Sequence, residues 1–190
     1  MRGVCIIGSP NRKGSTAFLV NKVVEGMRAA GAKTQVYHLG DMNIGYCQGC
    51  RKCETTLRCV QRDDMDTLTK EIFASDVILL ASPSYWGDVT GQMKVFIDRC
   101  TPLSNARTGR TPVPPGKRGI AVAIRAGKSK GENQRLLATM EHFFGHLGIQ
   151  MTASLTAEQI EGLTNMLSKA DKHEEAYCLG QRLVKYQREG

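Results

Sequence analysis

Four of the chain's seven cysteines lie close together, as Cys47, Cys50, Cys53 and Cys59 in a C-x2-C-x2-C-x5-C array. Thiolates at this spacing can take three corners of a [4Fe-4S] cubane while the fourth closes the last one, and Gly49 loosens the backbone for the turn. Bacterial ferredoxins open with the same C-x2-C-x2-C run. Zinc fits less well, because structural zinc sites usually pair two C-x2-C knuckles across a longer spacer. A third reading needs no metal, since a free buried cysteine behaves as a small apolar side chain. Arg51, Lys52 and Arg58 surround the array and would offset the charge of a reduced cluster, or stand as solvated loop charges. Cys5 in a strand, Cys100 after a helix and Cys178 in the last helix read as packing residues. An odd cysteine count with no visible export signal argues against a disulfide framework and for a reducing cytoplasm.

Two other loops carry residues suited to a ligand. Gly8-Ser9-Pro10-Asn11-Arg12-Lys13-Gly14-Ser15-Thr16 holds hydroxyls, two glycines and two cations but no carboxylate. Placed before a helix, its backbone N–H groups and the positive end of the helix dipole suit an anion, and Ser9, Asn11, Ser15 and Thr16 can add donors to a phosphate. It is not a P-loop: five residues separate Gly8 from Gly14, and Ser15 stands where lysine belongs. A dinucleotide fingerprint would need glycine in place of Pro10. The plain alternative is an N-cap on Ser15 or Thr16 with no ligand. The other loop, Ser82-Pro83-Ser84-Tyr85-Trp86-Gly87, contains the only tryptophan of the chain. Two aromatics between Pro83 and Gly87 suit a planar ring that must be stacked and desolvated, or simply cover a sheet edge.

The elements that must position these loops alternate along the chain. Residues 3–8 form an apolar run ending in glycine, and residues 15–31 place Leu19, Val20, Val23, Val24 and Met27 at helical spacing. Strands are expected over 34–39, 76–82, 119–124 and 149–155. Helices are expected after Asp64, read as a cap, and over 91–99 and 132–147, with a helical, charged remainder from Thr156. Near-continuous apolar strands separated by amphipathic helices predict a five-stranded, doubly wound α/β sheet covered on both faces. Ligands of such sheets sit beyond the carboxyl ends of the strands, so the loops starting at Gly8, Gly40, Ser82 and Arg125 should share one edge. With 190 residues, 41% of them apolar, the chain can bury a core, and no apolar run is long enough to cross a bilayer. We expect one domain over 1–190, with a cysteine-rich loop at 46–60 and a C-terminal helical segment at 156–188.

Together the two loops resemble the NADPH-dependent FMN reductase family of flavodoxin-like proteins, through G-S-P-N-x2-G-S-T and S-P-x-Y-W-G-x3-G-x-M-K-x-F-I-D-R. The resemblance runs from about residue 3 to residue 155 and implies a sheet of order 2-1-3-4-5. It implies that Ser9, Asn11, Ser15 and Thr16, with Lys13 beside them, hold the phosphate of FMN. By the same likeness Pro83, Ser84, Tyr85, Trp86 and Gly87 line the isoalloxazine, while Ala126 and Gly127 form a third flavin loop in which Arg125 is a departure. With the cysteine array added, the chain looks like the iron-sulfur flavoprotein branch, in which such cysteines bind one [4Fe-4S] cluster beside FMN. Family likeness further implies a homodimer or homotetramer whose flavin sites are completed by a neighbouring subunit.

The resulting expectation is a cytoplasmic FMN-dependent oxidoreductase that takes electrons from NAD(P)H or from an acidic carrier such as ferredoxin. Its chemistry is centred on the flavin, with no catalytic acid or base among the side chains. A cluster-free FMN or quinone reductase is the alternative. No Ser-His-Asp set is present, and His142 and His146, lacking a H-E-x2-H pattern, read as a solvated helix face. A third class, a basic nucleic-acid module, is suggested by residues 103–135. There Arg107, Arg110, Lys117, Arg118, Arg125, Lys128, Lys130 and Arg135 face only Glu132, a net +7 out of the chain's +8. Those charges fall at opposite ends of the sheet without a recognised motif, which argues against it. Lys128 and Lys130 instead sit where the 2′-phosphate of NADPH or an acidic carrier would approach. No membrane association is expected.

Overall fold

The computed structural model describes residues 1–106, 109, 111–129 and 131–185. Arg107, Arg110 and Lys130 of the basic window, and residues 186–188 of the expected C-terminal segment, lie outside the described residues. Five strands, β1 (Arg2–Ile7), β2 (Lys33–His38), β3 (Val77–Pro83), β4 (Arg118–Ile124) and β5 (Gln150–Ala157), form one parallel sheet in the order β2-β1-β3-β4-β5. Cys5 lies opposite Val36 on one side and Leu79 on the other, which fixes β1 as a central strand. Parallel neighbours require crossovers, and the helices α1 (Ser15–Ala29), α2 (Cys53–Thr56), α3 (Met65–Ala74), α4 (Gly91–Arg99), α5 (Glu132–His146), α6 (Leu163–Leu167) and α7 (Ala170–Lys185) fall between or after the strands.

Side chains alternate across a strand, so β1 feeds two cores. Cys5 and Ile7 join α1, α6 and α7 on one face. Val4 and Ile6 join α3, α4 and α5 on the other. The central strands are buried along almost their whole length. The outer strands β2 and β5 instead alternate between covered and exposed positions. They were expected as apolar runs, but a strand at the sheet margin has a neighbour on one side only and less helix over it. β5 also runs on to Ala157, so the helical remainder starts at Leu163 rather than Thr156.

The helix that leads away from the first loop is anchored by the last one. Gly26 of α1 and Gly180 of α7 meet backbone to backbone, and a Cβ on either would fall inside the envelope of a carbonyl oxygen, Tyr177 for Gly26 and Val23 for Gly180. Gly26→Ala should therefore force the two helices apart and lower stability by about 2–3 kcal/mol, a fall in Tm of roughly 5–10 °C. Gly145→Ala, in α5 with open space around it, should be neutral or gain up to about 1 kcal/mol from helix propensity. Thermal unfolding of the pair checks this; equal melting temperatures would show that the glycine contact does not set the helix spacing.

Candidate functional site

At the carboxyl edge the sheet's hydrogen bonding continues into the loops. Gly8 N–H donates to the Ala81 carbonyl (2.8 Å), Ser84 N–H to Ile124 (2.7 Å) and Arg125 N–H to Ala157 (3.1 Å), and the Arg125 carbonyl accepts from Ile160 N–H (3.0 Å). The loops after β1, β3, β4 and β5 are thereby laced into one rim. Thr90, fully buried, ties two of them directly. Its hydroxyl donates to the Gly8 carbonyl (2.7 Å) and accepts from Met93 N–H (3.3 Å), capping α4, while its own N–H donates to Ser82 Oγ (3.0 Å). Gly8 is small because a Cβ would lie 2.8 Å from the Thr90 hydroxyl and 2.9 Å from Met93.

Between these loops lies a cleft of about 220 Å³. Ser9, Asn11, Gly14, Ser15 and Thr16 form one wall, Pro83, Ser84 and Tyr85 another, with Arg125 and Ala126 beyond. The loop at Gly14 is shaped by local bonds: Asn11 N–H to Ser9 Oγ (3.3 Å), Lys13 N–H to Asn11 Oδ1 (3.0 Å) and Gly14 N–H to the Asn11 carbonyl (3.1 Å). Gly14, not Ser15 or Thr16, is the N-cap of α1, no side chain caps it, and the first turn holds no acid. The first N–H groups of a helix have no intrahelical partner, so this end presents bare donors and the positive dipole end to the cleft.

Not every expected site residue reaches the cleft. Lys13 is exposed. Trp86 and Gly87 form the tip of a two-residue turn, closed by Tyr85 N–H to Asp88 O (2.9 Å) and Asp88 N–H to Tyr85 O (3.2 Å). Both have positive φ, 55° at Trp86 and 80° at Gly87, as such tight turns demand. Trp86 is left wholly in solvent, and the Gly87 carbonyl accepts from Arg135 Nε on α5 (3.1 Å). Tyr85 is half exposed at the mouth. Ser84 Oγ donates to Glu132 (3.0 Å). Gly127 stays outside the lining, its carbonyl accepting from Arg125 Nη1 (2.7 Å), and Arg125 also pairs with Glu158 (2.8 Å), so this buried arginine braces the loop. Sequence reasoning missed Ile124, Ile160, Glu161, Gly162 and Leu163, which also line the cleft. The segment after β5 carries no composition signal; only the bond from Ile160 brings it there.

The four cysteines of the array share one hollow with Arg99, Thr101 and Pro102. Cys47 and Cys50 are exposed at its rim, Cys53 and Cys59 half-buried within it. Gly49, Arg51 and Leu57 all have positive φ, so the backbone turns tightly around the thiols. Partial burial pushes the Cys53 thiol above its ordinary pKa, and the charges of Cys59, Cys47 and Cys50 add to the same effect. Among the described residues no three His, Cys, Asp or Glu side chains converge as one ion would require. Asp64 holds the N-cap position of α3 as expected, but its side chain makes no cap bond and accepts instead from Asn43 N–H (2.7 Å); it is the Asp63 side chain that accepts from Met65 N–H (3.1 Å) at the head of that helix. Asp63 also binds Arg99 through both carboxylate oxygens (2.6 and 3.0 Å). Burial opposes its ionisation, but Arg99 and the N–H groups of Gly45 and Met65 hold it below the usual carboxylate range. Cys5 and Cys100 are buried, with burial pushing Cys5 up to about 12, and Cys178 donates to Glu174 (3.1 Å) on α7.

A larger cavity, about 610 Å³, lies between α4 and α5 and contains no residue of the strand-end loops. His142 and His146 line it with Nε2 atoms 3.1 Å apart, and His146 Nδ1 meets Asn105 Oδ1 (3.2 Å). His142 is exposed, as expected of a solvated helix face, while its partner His146 is half-buried in the groove. The basic window also changes character. Lys117 Nζ donates to the carbonyls of Phe73 and Ser75 at the end of α3 (2.8 and 2.7 Å), and burial lowers its pKa. Arg118 donates to the Leu183 carbonyl near the end of α7 (2.8 Å). Arg125 and, on the surface, Arg135 are also bound to carbonyls, so four of the described cations in that window brace the chain's own backbone.

Residues 1–159 match the sequence profile of the NADPH-dependent FMN reductase family. An iron-sulfur flavoprotein of Archaeoglobus fulgidus is 38% identical over 132 residues, covering 70% of this chain but 58% of that relative's length. Iron-sulfur flavoprotein MJ1083 of Methanocaldococcus jannaschii is 32% identical over 146 residues, 77% of this chain and 73% of the relative. Among solved structures, an NAD(P)H:quinone oxidoreductase from Methanothermobacter marburgensis superposes with a TM-score of 0.72 at 15% identity over 96% of both chains, a likeness of fold.

The lacing at Thr90 is open to test. Thr90→Val keeps the shape but removes the cap and leaves the buried Gly8 carbonyl unpaired, so we expect a loss of about 2–4 kcal/mol in denaturant unfolding. Thr90→Ser, which keeps the hydroxyl, should recover most of it. If valine matched the parent within about 0.5 kcal/mol, Thr90 would not be the tie between the loops.

Proposed function

Because the chain belongs to the NADPH-dependent FMN reductase family, we propose that it is an FMN-dependent oxidoreductase of the iron-sulfur flavoprotein type, working as one unit over residues 1–190. It takes electrons from NAD(P)H or a small redox protein. The observation that carries this reading is the uncapped, acid-free end of α1 opening into a cleft whose opposite wall is Pro83, Ser84 and Tyr85. Such an end takes a phosphate ester, leaving the ring to the second wall. Ser9, Asn11, Ser15 and Thr16 hold the phosphate; Pro83 to Tyr85 and Ala126 flank the ring. Lys13 contributes charge from the solvent side. Trp86 and Gly87 take part only as the turn beside the cleft, and the exposed Trp86 suits a site completed by a second subunit of a homo-oligomer. When bound, FMN supplies hydride and single-electron chemistry and a [4Fe-4S] cluster single-electron transfer. The side chains bind, orient and exclude water; none is placed as acid or base.

Cys47, Cys50, Cys53 and Cys59 would hold the cluster. Two features favour this donor set: all four thiols line one hollow, and the buried Nε of Arg99, which lines it too, has no partner. The hollow is only about 30 Å³, so the rim thiols Cys47 and Cys50 must open outward to admit a cubane. That narrowness favours a second reading, a cluster-free NAD(P)H-dependent FMN or quinone reductase with the same flavin cleft. Lys128, exposed beyond β4, suits the 2′-phosphate of NADPH or an acidic carrier.

Anaerobic reconstitution with iron, sulfide and FMN tests both halves. Ser15→Asp sets a carboxylate where the ester group binds while still favouring the helix, and should weaken FMN at least about tenfold in a fluorescence titration with iron retained. Cys53→Ala should lose iron and keep FMN. Unaltered flavin affinity in Ser15→Asp would overturn the phosphate assignment, and full iron in Cys53→Ala the cluster ligands. A parent chain that binds FMN but no iron would establish the cluster-free reading.

A further inference from the structure

The cysteine loop is closed at its base by one buried side chain. Arg99, the last residue of α4, has a side chain only 1% exposed. Its Nη1 donates to the Gly45 carbonyl (2.7 Å) and to Asp63 (2.6 Å), and its Nη2 to the other Asp63 oxygen (3.0 Å). Asp63 in turn accepts from Gly45 N–H (3.1 Å). Gly45 precedes Cys47 and Asp63 follows Cys59, so both ends of the loop meet on one guanidinium. A second rung, Gln61 Nε2 to the Tyr46 carbonyl (2.9 Å), lies just above it.

Stability alone is a poor reason for this arrangement. A buried ion pair roughly breaks even against an apolar substitute of the same volume, and a guanidinium left partly unsatisfied does worse. Here three bonds go to the loop ends while Nε, buried, has no partner. The guanidinium borders the hollow of the four thiols, and it is coupled electrostatically to Cys59. A rigidly held cation therefore stands beside a sulfur of the array. Sulfur atoms bonded to a cluster carry much of its negative charge, and nearby positive charge and hydrogen bonds raise its reduction potential.

Resting on the cluster reading above, we propose that Arg99 is a positioning residue for the cysteine array. It closes the loop so that the thiols face one hollow, and it fixes a positive charge beside Cys59 that favours the reduced form of a bound cluster. The planar fork is needed for both tasks, since an ammonium cannot hold two carboxylate oxygens and a carbonyl in one plane.

The test uses the full chain as Arg99→Lys, Arg99→Gln and Asp63→Asn. Midpoint potentials of cluster and flavin are read by anaerobic redox titration, and iodoacetamide labelling of each cysteine is read by mass spectrometry in cluster-free protein. Arg99→Gln should lower the cluster midpoint, leave the flavin midpoint in place and speed labelling of Cys53 and Cys59 by about tenfold as the loop opens. Arg99→Lys should speed labelling with a smaller change of midpoint, because it keeps the charge but not the fork. Asp63→Asn opens the loop yet leaves Arg99 unneutralised, so it should raise the midpoint; it carries the test if both Arg99 variants fail to fold. Labelling rates and midpoints equal to the parent's would overturn the proposal. A parent chain that takes no iron defeats the cluster reading instead, and the labelling rates then decide the clamp by themselves.

Discussion

The Thr90 hydroxyl is the point from which the candidate site hangs. β1 and β3 are neighbours in the sheet though far apart in the chain, and the loops leaving them would diverge toward α1 and α4 if nothing held them. Thr90 holds both: it bonds the Gly8 carbonyl, receives Met93 N–H and places its own N–H on Ser82. A buried hydroxyl with every bond made is rigid, and one with a partner missing is costly, so the spacing of the two cleft walls has little freedom. Bonds from Ser84 to Ile124 and from Arg125 to Ala157 carry that rigidity across the rest of the rim.

Several cations of this protein are bound to its own backbone. Lys117 and Arg118 end helices by binding their last carbonyls, where the helix dipole favours a cation. Arg125 and Arg135 brace the loops after β4 and β3, and Arg99 gathers the ends of the cysteine loop. The uncapped start of α1 is the contrasting case, a positive end left without any internal partner side chain.

Much of the architecture was legible because a parallel sheet buried on both faces leaves an unambiguous trace. Val77 to Ala81 and Gly119 to Ile124 are apolar without a break, and the helices α4 and α5 show one apolar stripe each. The margins were less legible: β2 and β5 alternate, and the end of β5 shades into the segment that follows. Half of the cleft could be read from the loop after β1, since glycines and hydroxyls without an acid have few other uses before a helix. Ile160 to Leu163 could not, because nothing in their types announces the bond from Ile160 to Arg125. Arg99 looks in sequence like an ordinary cation in the last turn of a helix, and Gly26 like a weak point in one. Each acquires its role from a residue more than thirty positions away.

The amino-acid order by itself determined the alternation of strand and helix, the grouping of the thiols and the composition of an anion-binding turn, since these depend on contacts within a few residues. Only the tertiary structure decided which loops share the rim, that Trp86 points to solvent, that Asp63 rather than Asp64 serves both α3 and Arg99, and that Gly26 lets α7 lie against α1. These are settled by burial and by hydrogen bonds between distant segments, whose energies exist only once the sheet has brought those segments together.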